Sequence, residues 1–121
     1  MEYQAVSESQ RKILEELKKT GDTLNRAERR FRVSELMADS EEDKQFLRIK
    51  AMPEKQTDSQ IKAKAREAAY EKRLTAILKE SVYKKVKLEY ELLEKEWGKL
   101  LIDASMAKEE VKRFSGQHEG E

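Results

Sequence analysis

Between Val86 and Phe114 apolar or small side chains return after four residues, then three, then four again, without a miss: Val86, Tyr90, Leu93, Trp97, Leu100, Ala104, Ala107, Val111 and Phe114. At 100° per residue this spacing draws one narrow stripe along a helix, the seam through which coiled coils meet. A stripe so narrow is buried only when a second helix lies against it. The same alternation runs through Ile13, Leu17, Thr20, Leu24, Ala27 and Phe31. The expected class is therefore all-α, a helical hairpin or small bundle with a long C-terminal helix and coiled-coil-like seams. Leu74, Ile77, Leu88 and Leu92 fall more than about 90° around the helix from the 86–114 seam. They need another partner, and the simplest one is a second copy of the chain, so an oligomer is expected.

Composition fits this reading. Charged residues make up 42% of the 121 residues and hydrophobic ones 37%, which starves a globular core but suffices for stripes. Periodic Leu, Ile, Val and aromatic residues argue against disorder. One helical domain over 7–114 is expected, between a flexible N-terminus 1–6 and a disordered tail 115–121. Ser7 with Gln10 forms a capping-box pattern that opens a first helix over about 7–38, in which Gly21 costs on the order of 1 kcal/mol and marks a bend. Ser40 with Asp43 reads as a fresh start, giving a short helix over about 40–52. Met52-Pro53 ends it, since proline disfavours helix before itself and has no N–H to donate. After a linker over 53–57, Thr57 and Gln60 cap a long helix over about 58–114.

The chemistry of an enzyme is missing from the residues. The single histidine, His118, falls in the tail, so no Ser-His or Cys-His pair can be built in a folded core. No glycine-rich phosphate loop is present, and no cofactor is expected. Asp39, Glu41, Glu42 and Asp43 lack the spacing of a calcium loop; acids in a first helical turn complement the helix dipole, so no metal is expected. Cysteine is absent, which excludes disulfides. No apolar run approaches a membrane span, and the opening MEYQAVSESQ has no signal-peptide character, so a cytoplasmic protein is expected.

Charge is unevenly spread. Residues 60–88 carry nine Lys or Arg against three Glu, whereas residues 89–121 carry five against nine acids. On a continuous helix Arg66, Arg73, Lys84 and Lys87 return to within about 40° of Lys62. Such a stripe matches the phosphates of a nucleic acid, where each neutralised contact releases counterions. Tyr70 and Tyr83 lie near it, placed to stack on unpaired bases. Arg26, Arg29, Arg30 and Arg32 form a second cluster around Phe31. The plainer reading of both is a solvated outer face, with Glu67, Glu71 and Glu80 as pairing partners, and the plainer reading of Trp97 is a seam anchor.

The segments FLRIKA (46–51), AKAREAAY (63–70) and VKLEYELLEKEWGKLLIDASMAKEEVKRF (86–114), with its WGKLL core, resemble the UvsY recombination mediators of T4-like bacteriophages. The likeness covers roughly residues 40–114. It implies a small helical protein of the host bacterial cytoplasm that assembles into a ring and binds single-stranded DNA. It further implies help to a RecA-like recombinase in displacing the single-strand-binding protein. By that resemblance Lys64 and Arg66, with Lys62 just before them, belong to the DNA-binding element. Leu93, Trp97, Leu100, Leu101, Val111 and Phe114 belong to assembly, and Tyr90 joins them through the seam. The competing expectation is a coiled-coil adaptor, or a phage structural or chaperone-like protein, that binds only proteins.

Overall fold

The computed structural model describes the backbone of residues 3–119 and the side chains of residues 7–113. Among the described residues all regular structure is α-helical: α1 (Tyr3–Lys50), α2 (Asp58–Ala68) and α3 (Tyr70–Glu119). None of these helices is long and apolar enough to cross a membrane. The all-α expectation holds, and the helix boundaries differ from it in three places.

The first difference is α1, which runs unbroken where two helices over 7–38 and 40–52 were expected. The reason is that the seam does not stop at Phe31. Four-three spacing leads on to Ser34, Ala38, Glu41, Gln45 and then Ile49, all buried or half-buried, with Ala38 at 0% exposure. Ser7 and Ser40 are therefore interior helix residues rather than caps, and Asp39, Glu41, Glu42 and Asp43 lie in mid-helix, away from any dipole terminus. Gly21 does not interrupt the helix either. A Cβ there would stand 3.4 Å from Tyr90 Cε2, so the glycine leaves room for a ring on the opposite helix.

The second is the long helix expected over 58–114, which is divided at Ala69. Its start is as the sequence indicates. Thr57, extended at φ −72° and ψ 156°, accepts from the Gln60 N–H at 3.3 Å, while its own N–H donates to Gln60 Oε1 at 3.1 Å. After the eleven residues of α2, Ala69 relaxes to φ −95° and ψ 8°, and α3 begins. The ladder survives the break: Ala69 N–H donates to Ala65 O, and Arg73 N–H to Ala69 O, both at 3.0 Å.

The third lies at the ends. Helix extends to Tyr3 at one and Glu119 at the other, where a flexible N-terminus 1–6 and a disordered tail 115–121 were expected. Residues 1–2 and 120–121 lie outside the described residues, as do the side chains of Phe114 and His118.

The contacts gather into two compact units, each pairing part of α1 with part of α3 in antiparallel sense. Unit 1 comprises Met1–Thr23 and Lys87–Glu121. Its seam sets Ile13, Leu17, Thr20 and Gly21 against Tyr90, Leu93, Trp97 and Leu100, all half-buried. Unit 2 comprises Leu24–Val86 and includes α2. Alanine dominates its interior: Ala38, Ala65, Ala69 and Ala76 are each at most 3% exposed. Near the loop, Ile49, Ile61 and Ala65 form a buried cluster with Phe46 against it, which seats α2 on the end of α1.

Candidate nucleic-acid interface

The six basic residues expected to contact DNA, the five of the stripe and Lys64, have three different fates. Lys62, Lys64 and Arg66 stand on α2, all exposed, and among the described residues no carboxylate lies within ion-pairing distance of them. Lys62 and Arg66 are one turn apart and border a hollow shared with Glu42, Asp43 and Phe46. Lys64 lies on the other side of α2, beside Arg48, Ile49 and Met52. Ile61 and Ala65 take the side that faces α1, so packing leaves the cationic side chains to flank α2 in solvent.

Arg73 is engaged within the protein. Its Nε donates to Glu42 Oε1 at 3.0 Å and its Nη2 to Asp39 Oδ1 at 2.6 Å, with Glu42 Oε1 also 2.9 Å from Nη2. The Asp39 bond is the main reason its pKa rises above the ordinary arginine value; partial burial opposes this, and Glu42 adds to it. A guanidinium held by two carboxylates keeps little charge in reserve for a phosphate. Lys84 is exposed but pairs with Glu80 at 2.8 Å, one turn back on α3. Lys87 is exposed and belongs to unit 1.

The two tyrosines part in the same way. Tyr70 is 62% exposed, directly after the Ala69 break. Tyr83 is stacked on Phe31, with ring centroids 5.9 Å apart and planes 20° from parallel, so its face is already covered. Arg32, though exposed, sits over the same Phe31 ring at 5.0 Å and reaches Glu35 at 3.8 Å, which leaves Arg26, Arg29 and Arg30 as the arginines of that cluster without an ion pair among the described residues.

Sequence reasoning missed two contributors. Arg48 and Lys50 close the last turn of α1, where cations favour the helix dipole; Arg48 borders the same hollow as Lys64, and Lys50 lies over the Phe46 ring at 5.8 Å. A count of charge across the loop, rather than along one helix, would have found them. Of the expected assembly residues, Tyr90, Leu93, Trp97 and Leu100 face the seam of unit 1, while Leu101 and Val111 are 47% and 59% exposed.

Compared with family models, with curated proteins and with solved structures, the chain matches none of them.

Proposed function

We propose that this chain is a recombination mediator without catalytic chemistry of its own. It binds single-stranded DNA along α2 and, as a self-associated assembly, helps load a RecA-like recombinase onto DNA coated by single-strand-binding protein. The observation that carries the reading is the contrast within the basic block. Arg73 and Lys84 are taken up by carboxylates, whereas Lys62, Lys64 and Arg66 stand exposed and unpaired among the described residues, near Arg48 and Lys50 and followed by exposed Tyr70. Cations track the backbone of a flexible strand, and an exposed ring offers one base a stacking surface. A single copy makes few phosphate contacts, so useful affinity comes from several copies engaging one strand.

The test is binding to oligo-dT across a salt series. The triple substitution Lys62→Ala, Lys64→Ala and Arg66→Ala is expected to lower affinity by roughly tenfold or more and to reduce the slope of log affinity against log salt by about two units. Arg73→Ala is expected to change binding far less than the triple does. The competing reading, an adaptor that binds only proteins, draws on the large exposed apolar side chains of α1 and α3, such as Leu36 at 68% and Ile102 at 62%. It wins if the native chain ignores oligo-dT at low salt; a triple variant that binds DNA as the native chain does would instead remove α2 as the binding element.

A further inference from the structure

One outer stripe of α1 in unit 2 mixes charge and grease in a regular order. Arg26, Arg29, Val33, Leu36 and Met37 recur at three- and four-residue steps about 100° or more around α1 from its Ala27–Phe31–Ala38 line, with Arg30 on the flank beside them. All six are exposed, Val33 and Met37 at 50% and Leu36 at 68%. Among the described residues no carboxylate pairs with the three arginines. Residues 26–33 hold four Arg against one Glu.

Unit 1 carries a stripe of the opposite sign on α3. Leu88 and Leu92 are 58% and 52% exposed, and fourteen residues on, two full heptads, Ile102 and Met106 repeat the pair at 62% and 60%. Glu89 and Glu96 stand exposed along one flank of this ridge and Asp103 is half-buried there, with Lys95 and Lys99 between the two apolar pairs. Residues 89–96 hold four Glu against one Lys.

Resting on the self-association proposed above, we infer that the Arg26–Met37 stripe of one copy seats on the Leu88–Met106 stripe of the next. Both stripes bring apolar side chains to exclude water, and the arginines of one face the acidic flank of the other. Arginine suits such a contact because its planar, weakly hydrated head pairs bidentately with carboxylates. Nucleic acid would match the arginines but leave Val33, Leu36 and Met37 without partners. The arginine stripe laid on itself would oppose like charges. The contact is heterologous, joining two different patches, so its repetition closes a ring or grows a filament.

Sedimentation velocity on two charge-reversed proteins tests the pairing, Arg29→Glu with Arg30→Glu in one and Glu89→Arg with Glu96→Arg in the other. Each alone is expected to self-associate on the order of a hundredfold more weakly than the native chain, and a one-to-one mixture to regain assembly, because native and doubly reversed contacts then alternate. All four side chains are exposed, so the helical circular dichroism signal should not change. Arg29→Gln with Arg30→Gln, which removes charge without reversing it, should shift assembly in the same direction by less. The pairing is overturned if either reversed protein assembles as the native chain does, or if the mixture stays as dissociated as its components. Oligo-dT binding of the same samples at low salt separates the outcomes. Binding that persists while complementation fails removes this interface alone; a native chain that stays monomeric removes self-association with it.

Discussion

Unit 1 holds its helices together with large side chains that stay half in solvent, Tyr90, Leu93, Trp97 and Leu100 against Ile13 and Leu17; unit 2 uses alanines that vanish from the surface. The difference lies in how much each seam can give. A layer of rings and branched chains makes many weak contacts and adjusts by rotamer. An alanine layer has no rotamers, so helices there approach closely and any added carbon must push backbone apart. Unit 2 supplements its small side chains with specific contacts, the Arg73 clamp on Asp39 and Glu42 and the stacked Phe31–Tyr83 pair.

Substitutions can break or sharpen that contrast. The largest effect is expected at Ala38, fully buried, where Ala38→Leu should destabilise by about 3 kcal/mol in urea unfolding. A loss below about 1 kcal/mol would mean that the alanine layer yields as readily as the other seam. Trp97→Ala in unit 1 should cost about 2 kcal/mol, less than a fully buried tryptophan, because the ring is already half in water. Smallest, and opposite in sign, is Gly98→Ala. A Cβ at Gly98 meets nothing within 4 Å, so only helix propensity changes and the thermal midpoint should rise by the equivalent of roughly 0.5–1 kcal/mol. Destabilisation by Gly98→Ala would mean that this open side of α3 is occupied in solution.

The seam of α3 could be read from sequence because Tyr90, Leu93, Trp97 and Leu100 contrast sharply with their charged neighbours. The course of α1 beyond Phe31 could not, because its inward positions are Ser34, Ala38, Glu41 and Gln45, which carry no hydropathy contrast at all. Thr57 and Gln60 announced a helix start correctly, since a capping box is local; Ser40 and Asp43 have similar spelling but sit where the packed seam overrides it. Ala69 gave no warning of a break, as alanine is the best of helix formers. For the candidate site, the basic block was visible as composition. Its division into free and engaged cations was not, because the carboxylates that hold Arg73 lie 31 and 34 residues away in the chain. Placing Asp39 and Glu42 beside a continuing seam, rather than at a new helix start, is the step that would have revealed them.

At the break between α2 and α3 Ala69 keeps both its backbone bonds, donating to Ala65 and accepting from Arg73. Backbone bonding through Ala69 therefore ties the short helix to the start of α3. The packing of Ile61 and Ala65 on Ile49 and Phe46 holds its other side, so the far end of α1 acts as a tiller: a change of side-chain shape at position 49 is expected to re-aim Lys62 and Arg66 without touching either.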